Sequence, residues 1–198
     1  VAVLSFLHND ITDAGWRVLA SHAHRFPTLR CLRLGSMIPL MSFVCVGASL
    51  QSFRSLSSLQ LYYCVFDDAG VAMLCGAFAF VALTGLVMVD CAMPVSGWVR
   101  VLQALTTQRS LATLRLCGCS LTADGGIALA ASLRCFRALT SLDVSCNPDI
   151  GDGGWVAVVR ALPRPSRLRT LRLSRTGIGR DGCASLCEGL AELPTLSV

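Results

Sequence analysis

Residues 111–133 read LATLRLCGCSLTADGGIALAASL. The hydrophobic period changes half-way through this stretch. Leu114 and Leu116 alternate with Thr113, Arg115 and Cys117, the pattern of a short strand with one buried face. Gly125, Leu129 and Leu133 then recur every fourth residue, which is one stripe of a helix. Between the two patterns, Cys117 and Cys119 lie one residue apart in a Gly-flanked turn. Such a pair is either a metal or redox site, or it belongs to the architecture.

The rest of the chain decides between these. The pattern L-x-x-L-x-L-x-x-(N/C)-x-(I/L) starts at Val1, Leu29, Leu56, Leu83, Leu111, Leu139 and Leu168, and again at Leu196, with spacings of 27 to 29 residues. The helical half returns as Gly154, Val158, Leu162 and as Gly182, Leu186, Leu190. Asp13, Asp68, Thr122 and Asp124 fall where helix starts need a cap or a favourable negative charge. One unit alone cannot bury both a strand face and a helix stripe. Stacked units can, which predicts a single α/β solenoid of about seven repeats, with parallel strands lining a concave face and helices on the convex side.

These motifs resemble the leucine-rich repeat family, specifically its long, ribonuclease-inhibitor-like repeats, over essentially the whole chain. The resemblance implies a protein-binding scaffold, an inhibitor, a sensor domain or a GTPase-activating protein. It also gives the ninth position of each unit a role: an internal ladder whose Asn or Cys side chains satisfy backbone groups in the turn. That column reads Asn9, Met37, Cys64, Cys91, Cys119, Asn147 and Thr176. Cys119 is therefore expected to point inward and Cys117 toward the concave face, so that the pair is architecture.

Composition supports a non-catalytic reading. No Ser-His-Asp or Cys-His constellation, P-loop or dinucleotide fingerprint occurs. All three His (His8, His22, His24) lie in the first repeat. His22 and His24 with Cys31, or Cys183 with Cys187, fall short of a zinc site, which needs four ligands. No cofactor or metal is expected. Eleven Cys, an odd number, with no signal-like N-terminus, read as free thiols in a reducing, cytoplasmic compartment. The uncharged run 71–89 has the length of a membrane span, but the repeat divides it into a helix over Val71–Phe80 and a strand over Leu83–Val89, so no membrane is expected. Gly15-Trp16, Gly97-Trp98 and Gly154-Trp155 repeat one position at helix starts, with Gly126 in repeat five, which suggests packing between helices.

Strand residues flanking the leucines give the expected binding face. The fifth position reads Ser5, Arg33, Gln60, Val87, Arg115, Asp143 and Arg172; the seventh includes Tyr62, Val89 and Cys117, and the eighth Ser36, Tyr63 and Arg175. Arg33, Tyr62, Tyr63, Val87, Arg115, Asp143, Arg172 and Arg175 are the candidate contacts for a protein partner, with Asp143 expected between Arg115 and Arg172. Seven arginines from Arg160 to Arg180, with no acid among them, suit an acidic protein segment. RNA phosphates are the lesser alternative, since no aromatic residue is interleaved for stacking. All 17 basic side chains are Arg and the net charge is +5. A resemblance to acidic inhibitors that clamp basic enzymes fits that charge poorly. The chain opens on a strand and stops at LPTLSV, so the array is expected to be a fragment of a longer one whose ends are covered by neighbouring repeats or subunits.

Overall fold

A computed structural model describes residues 2–9, 11–35, 46–47, 49–162 and 167–191. Among these, seven strands form one sheet: β1 (Val3–Leu7), β2 (Cys31–Gly35), β3 (Ser58–Tyr62), β4 (Gly85–Val89), β5 (Thr113–Cys117), β6 (Ser141–Asp143) and β7 (Thr170–Arg172). Sheet order equals chain order and every pairing is parallel. Parallel neighbours need a crossover, here a helix in most repeats. These are α1 (Asp13–Ser21), α2 (Asp68–Ala77), α3 (Val95–Leu105), α4 (Ala123–Leu133), α5 (Gly151–Ala161) and α6 (Arg180–Leu190). The result is an α/β solenoid of stacked strand-helix units.

Burial follows the repeat. Leu32, Leu34, Leu59, Leu61, Leu86, Met88, Leu114, Leu116 and Leu142 are buried on the inner sheet face. The unit-opening Leu29, Leu56, Leu83, Leu111, Leu139 and Leu168 close the core from below. Leu129, Leu133, Val158 and Leu162 meet them from the helices. The uncharged run resolves into α2, which begins and ends before its expected span, and β4, which starts later than expected. No helix among the described residues is long and apolar enough to cross a membrane.

Asp68 and Asp124 lie in the first turns of α2 and α4, where a negative charge is favourable as expected, while the capping bonds of α1 and α2 come from Thr12 and Asp67, which accept from the Gly15 and Gly70 amides. Two local expectations need correction. Thr122 sits at the N-cap of α4, but its hydroxyl is buried and makes no bond. The helices pack through glycine: a Cβ on Gly126 would lie 3.0 Å from Gly154 Cα. The tryptophans instead turn into the core. Trp16 meets Phe6 edge-on at 5.7 Å, and the Trp155 indole donates to Thr176 O in the next repeat.

Repeat three departs from the pattern. Phe26, Phe53 and Phe136 each stand three residues before a repeat's opening leucine, and the leucine's amide bonds their carbonyl. At the equivalent place Phe80 is 59% exposed and Phe78 is buried instead. Gln108, at that position one repeat on, is buried and bridges the gap. Its amide donates to Phe78 O at 2.6 Å, and its Oε1 accepts from Leu83 N at 2.8 Å.

Candidate functional site: the open face of the sheet

Parallel register aligns the fifth position across the whole molecule. Ser5, Arg33, Gln60, Val87, Arg115, Asp143 and Arg172 are successive Cα partners. Adjacent strands are about 4.8 Å apart, so neighbours in this row touch. In the middle, Tyr62 and Val89 are partners, and Val87 stands between Gln60 and Arg115. All three apolar side chains are half-buried. The Tyr62 hydroxyl donates to Gln60 Oε1 at 3.0 Å. Gly35 opens the space beside Tyr62: a Cβ there would lie 2.8 Å from Leu7 Cδ2 and 2.9 Å from Tyr62 Cβ.

Among the described residues Asp143 pairs with one arginine only. Its Oδ2 lies 3.2 Å from Arg115 Nε, and its Oδ1 accepts the Ser145 amide. The Arg115 Nε–H is not aimed at the carboxylate, so the pair is an ionic contact without a hydrogen bond. Arg172 is the register partner of Asp143 but makes no ion pair with it among the described residues. Arg172 is exposed and points its charge outward, whereas Asp143 is buried and held down by its own turn.

At the eighth position the chain leaves the strand. His8, Tyr63, Asp90, Cys146 and Arg175 all have left-handed φ between 51° and 60°, and Gly118 has 64°. Side chains here no longer follow the strand's alternation, so exposed Tyr63 and Arg175 stand at the margin of the face. Ser36, of the same column, lies outside the described residues. Left-handed backbone costs a non-Gly residue roughly 1–2 kcal/mol, and the ninth-position ladder beneath holds the turn closed. Asn147 Oδ1 accepts the Cys119 and Leu121 amides; its Nδ2 donates to Leu116 O, Val144 O and Ser145 O. The sulfurs of Cys64, Cys91 and Cys119 continue the ladder, donating to strand carbonyls. Met37 of this column is not among the described residues.

The Cys117–Cys119 question is answered by that geometry. Cys119 is fully buried and burial pushes its thiol well above the usual 9.0. Cys117 is half-exposed on the open face. Partial desolvation raises its thiol too, with Arg115 pulling the other way. In the ladder, the neighbouring Cys91 together with burial pushes the Cys64 thiol up. No disulfide joins the ten described cysteines, Cys45 lying outside them. His22 and His24 use their Nδ1 atoms on Val18 O and Ser21 O, at the end of α1. Among the described residues no three His, Cys, Asp or Glu side chains are grouped to hold a metal.

The run of arginines from Arg160 to Arg180 does not form one patch. Arg160 ends α5, and Arg167 and Arg169 precede β7 on the same edge. Arg172 is on the sheet face and Arg175 in the turn after it, while Arg180 opens α6 on the opposite edge. Arg164 lies outside the described residues. Asp152 caps α6, accepting the Gly179 and Asp181 amides.

Comparison with known proteins agrees with this architecture. A family model described as Leucine Rich repeat matches residues 137–159 and 166–187. A ribonuclease inhibitor from Sus scrofa is 30% identical over 192 residues, 95% of this chain. The chain is a leucine-rich repeat protein. Its repeats are of the ribonuclease-inhibitor-like kind. The leucine-rich repeat chain spans 36% of the length of that curated relative. Among solved structures, an internalin from Listeria monocytogenes matches at 14% identity with a TM-score of 0.39, covering 98% of this chain and 65% of that one.

Proposed function

We propose that this leucine-rich repeat protein is a non-enzymatic interaction scaffold, or a subunit of a larger assembly, in a reducing cytoplasmic compartment. It binds a partner protein through the open sheet face, by Arg33, Tyr62, Tyr63, Val87, Arg115, Asp143, Arg172 and Arg175. The observation that carries this reading is the central row: half-buried Tyr62, Val87 and Val89 beside the Arg115–Asp143 pair, on the one sheet face that no helix covers. Tyr and Arg are the usual anchors of interfaces. Exposed Arg33, Arg172 and Arg175 around that centre favour a partner with acidic segments. Likeness to a ribonuclease inhibitor favours a second reading, clamping of an enzyme, but the net charge of +5 opposes a basic one. A GTPase-activating role has no observation in its favour.

The test is quantitative capture followed by titration with the recovered partner. Tyr62→Ala and Arg115→Ala should each weaken binding by more than about 1 kcal/mol with melting nearly unchanged. Arg167→Ala and Arg180→Ala, off the sheet face, should leave it intact. Loss in the second pair and none in the first moves the interface to the edges.

A further inference from the structure

Charge is sorted unevenly between the two edges of the solenoid. Asp67, Asp68, Asp124, Asp152 and Asp181, with Arg180 among them, lie at helix starts, and Arg25, Arg109, Arg134, Arg137 and Arg160 at or after helix ends. Helix dipoles favour that sorting, so charge alone marks no site. The shape at repeats four and five is another matter. There Arg109, Arg134 and Arg137, with Thr106 and Cys135, line a concavity of about 320 Å³. The three arginines are exposed, and among the described residues none is within 4.0 Å of a carboxylate. The Thr106 hydroxyl is spent on Gln103 O, which leaves guanidinium N–H groups as the free donors.

A second concavity of about 450 Å³ adjoins the first and shares Arg109 with it. Phe78, Ala79, Val81 and Ala82 form its apolar wall. Around it Phe80 is turned out and Gln108 bridges in its place, and a hollow of about 600 Å³ recurs at the equivalent place between repeats one and two. A three-arginine cradle thus sits beside an apolar hollow, both on the edge where helices end and both away from the sheet face.

We propose that this composite edge site docks a short segment of a partner protein that carries a phosphorylated side chain next to an apolar one. The phosphate enters the arginine cradle and the apolar side chain enters the hollow. A phosphomonoester brings a charge of about −1.5 to −2 and three acceptor oxygens, enough to engage several guanidinium forks at once. A carboxylate has two oxygens and one charge, and engages one fork well. RNA would track a continuous row of cations, but the edge between Arg54 and Arg109 holds Ala79, Phe80, Val81 and Ala82. The site is independent of the proposed sheet-face interface.

The test uses the whole chain and a degenerate peptide library fixed at one phosphoserine. Bound peptides should be enriched in Leu, Ile, Phe or Met within a few residues of the phosphate. Dephosphorylation should weaken the selected peptides by about tenfold or more. Arg134→Ala and Arg137→Ala should each weaken them several-fold, and Ala82→Glu should erase the apolar preference. Tyr62→Ala and Arg115→Ala should leave peptide binding unchanged, which separates this site from the sheet face. The proposal is overturned if phosphorylated and unphosphorylated peptides bind alike, if Glu in place of phosphoserine binds equally well, or if the Arg109/Arg134/Arg137 triple Ala variant retains binding. It is also overturned if an RNA oligonucleotide displaces the selected peptides at lower concentration than unlabelled peptide. The dephosphorylation arm needs no variant, so misfolding of a mutant cannot blunt the result.

Discussion

A single buried amide, that of Asn147, joins two repeats. It accepts the amides of Cys119 and Leu121 and donates to carbonyls of both β5 and its own turn, all while fully buried. Each buried group left unpaired costs roughly 1–3 kcal/mol. Asn147→Ala strands two amides at once and should lower stability by at least about 2 kcal/mol in urea unfolding. Asn147→Asp keeps an acceptor but buries a charge against the carbonyls of Leu116, Val144 and Ser145, and should be no better tolerated. The sulfur at the preceding rung gives a pH signature. Burial raises the folded Cys119 thiol far above its usual 9.0. Below pH 9 both states hold the proton and the group is neutral to stability. Above it the unfolded thiol ionises first, so folding loses up to about 1.4 kcal/mol per pH unit from this group. Urea midpoints between pH 8 and pH 10 should therefore fall more steeply in the parent than in Cys119→Ala.

Elements were legible in the sequence where side-chain period alone determines them. The L-x-L alternation, with Phe6, Met88 and Val144 in place of the second leucine in repeats one, four and six, places every described strand, and Leu114 and Leu116 face the core as their alternation requires. The fifth-position row and the outward Cys117 were legible for the same reason, whereas the inward Cys119 followed from the ninth-position ladder that the resemblance implies, since residues two apart would share a face if the left-handed turn at Gly118 did not part them. Three features were not, because each depends on backbone that the pattern does not encode. The left-handed turn at Tyr63 and Arg175 takes them off the strand's alternation. Asp143 spends one oxygen on Ser145 N, which holds it beside Arg115 and away from Arg172. Gln108 looks like an ordinary surface residue, yet it replaces an aromatic plug and ties two loops. Its spacing, three residues before Leu111 where Phe26, Phe53 and Phe136 precede their own leucines, was the available signal. Gln108→Ala leaves Leu83 N and Phe78 O unpaired, and should cost about 2–4 kcal/mol in thermal or urea unfolding. Gln108→Glu keeps the acceptor for Leu83 N but buries a charge, and should be no better tolerated.

At the scale of the whole molecule, order in the sheet equals order in the chain, and each unit packs chiefly on its two neighbours. Stability in such an array is close to a sum of unit and nearest-neighbour interface terms. A lesion should therefore be felt locally before it is felt globally. Leu142 is fully buried on β6, under the turn that Asn147 closes. Leu142→Ala removes burial and leaves a cavity, at a cost of about 2–5 kcal/mol. Hydrogen exchange resolved by peptide should show protection lost first in β5 to β7 and in α4 to α6, with β3, β4 and α2 holding until stronger denaturing conditions. Leu86→Ala in repeat four should move the weak region toward β3 and β4. If both variants instead lose protection uniformly from repeat one to repeat seven, the array unfolds as one cooperative block and the nearest-neighbour description fails. Thermal melting sharpens the same distinction. A locally weakened array should broaden its transition, whereas a single block should shift its midpoint and keep its width.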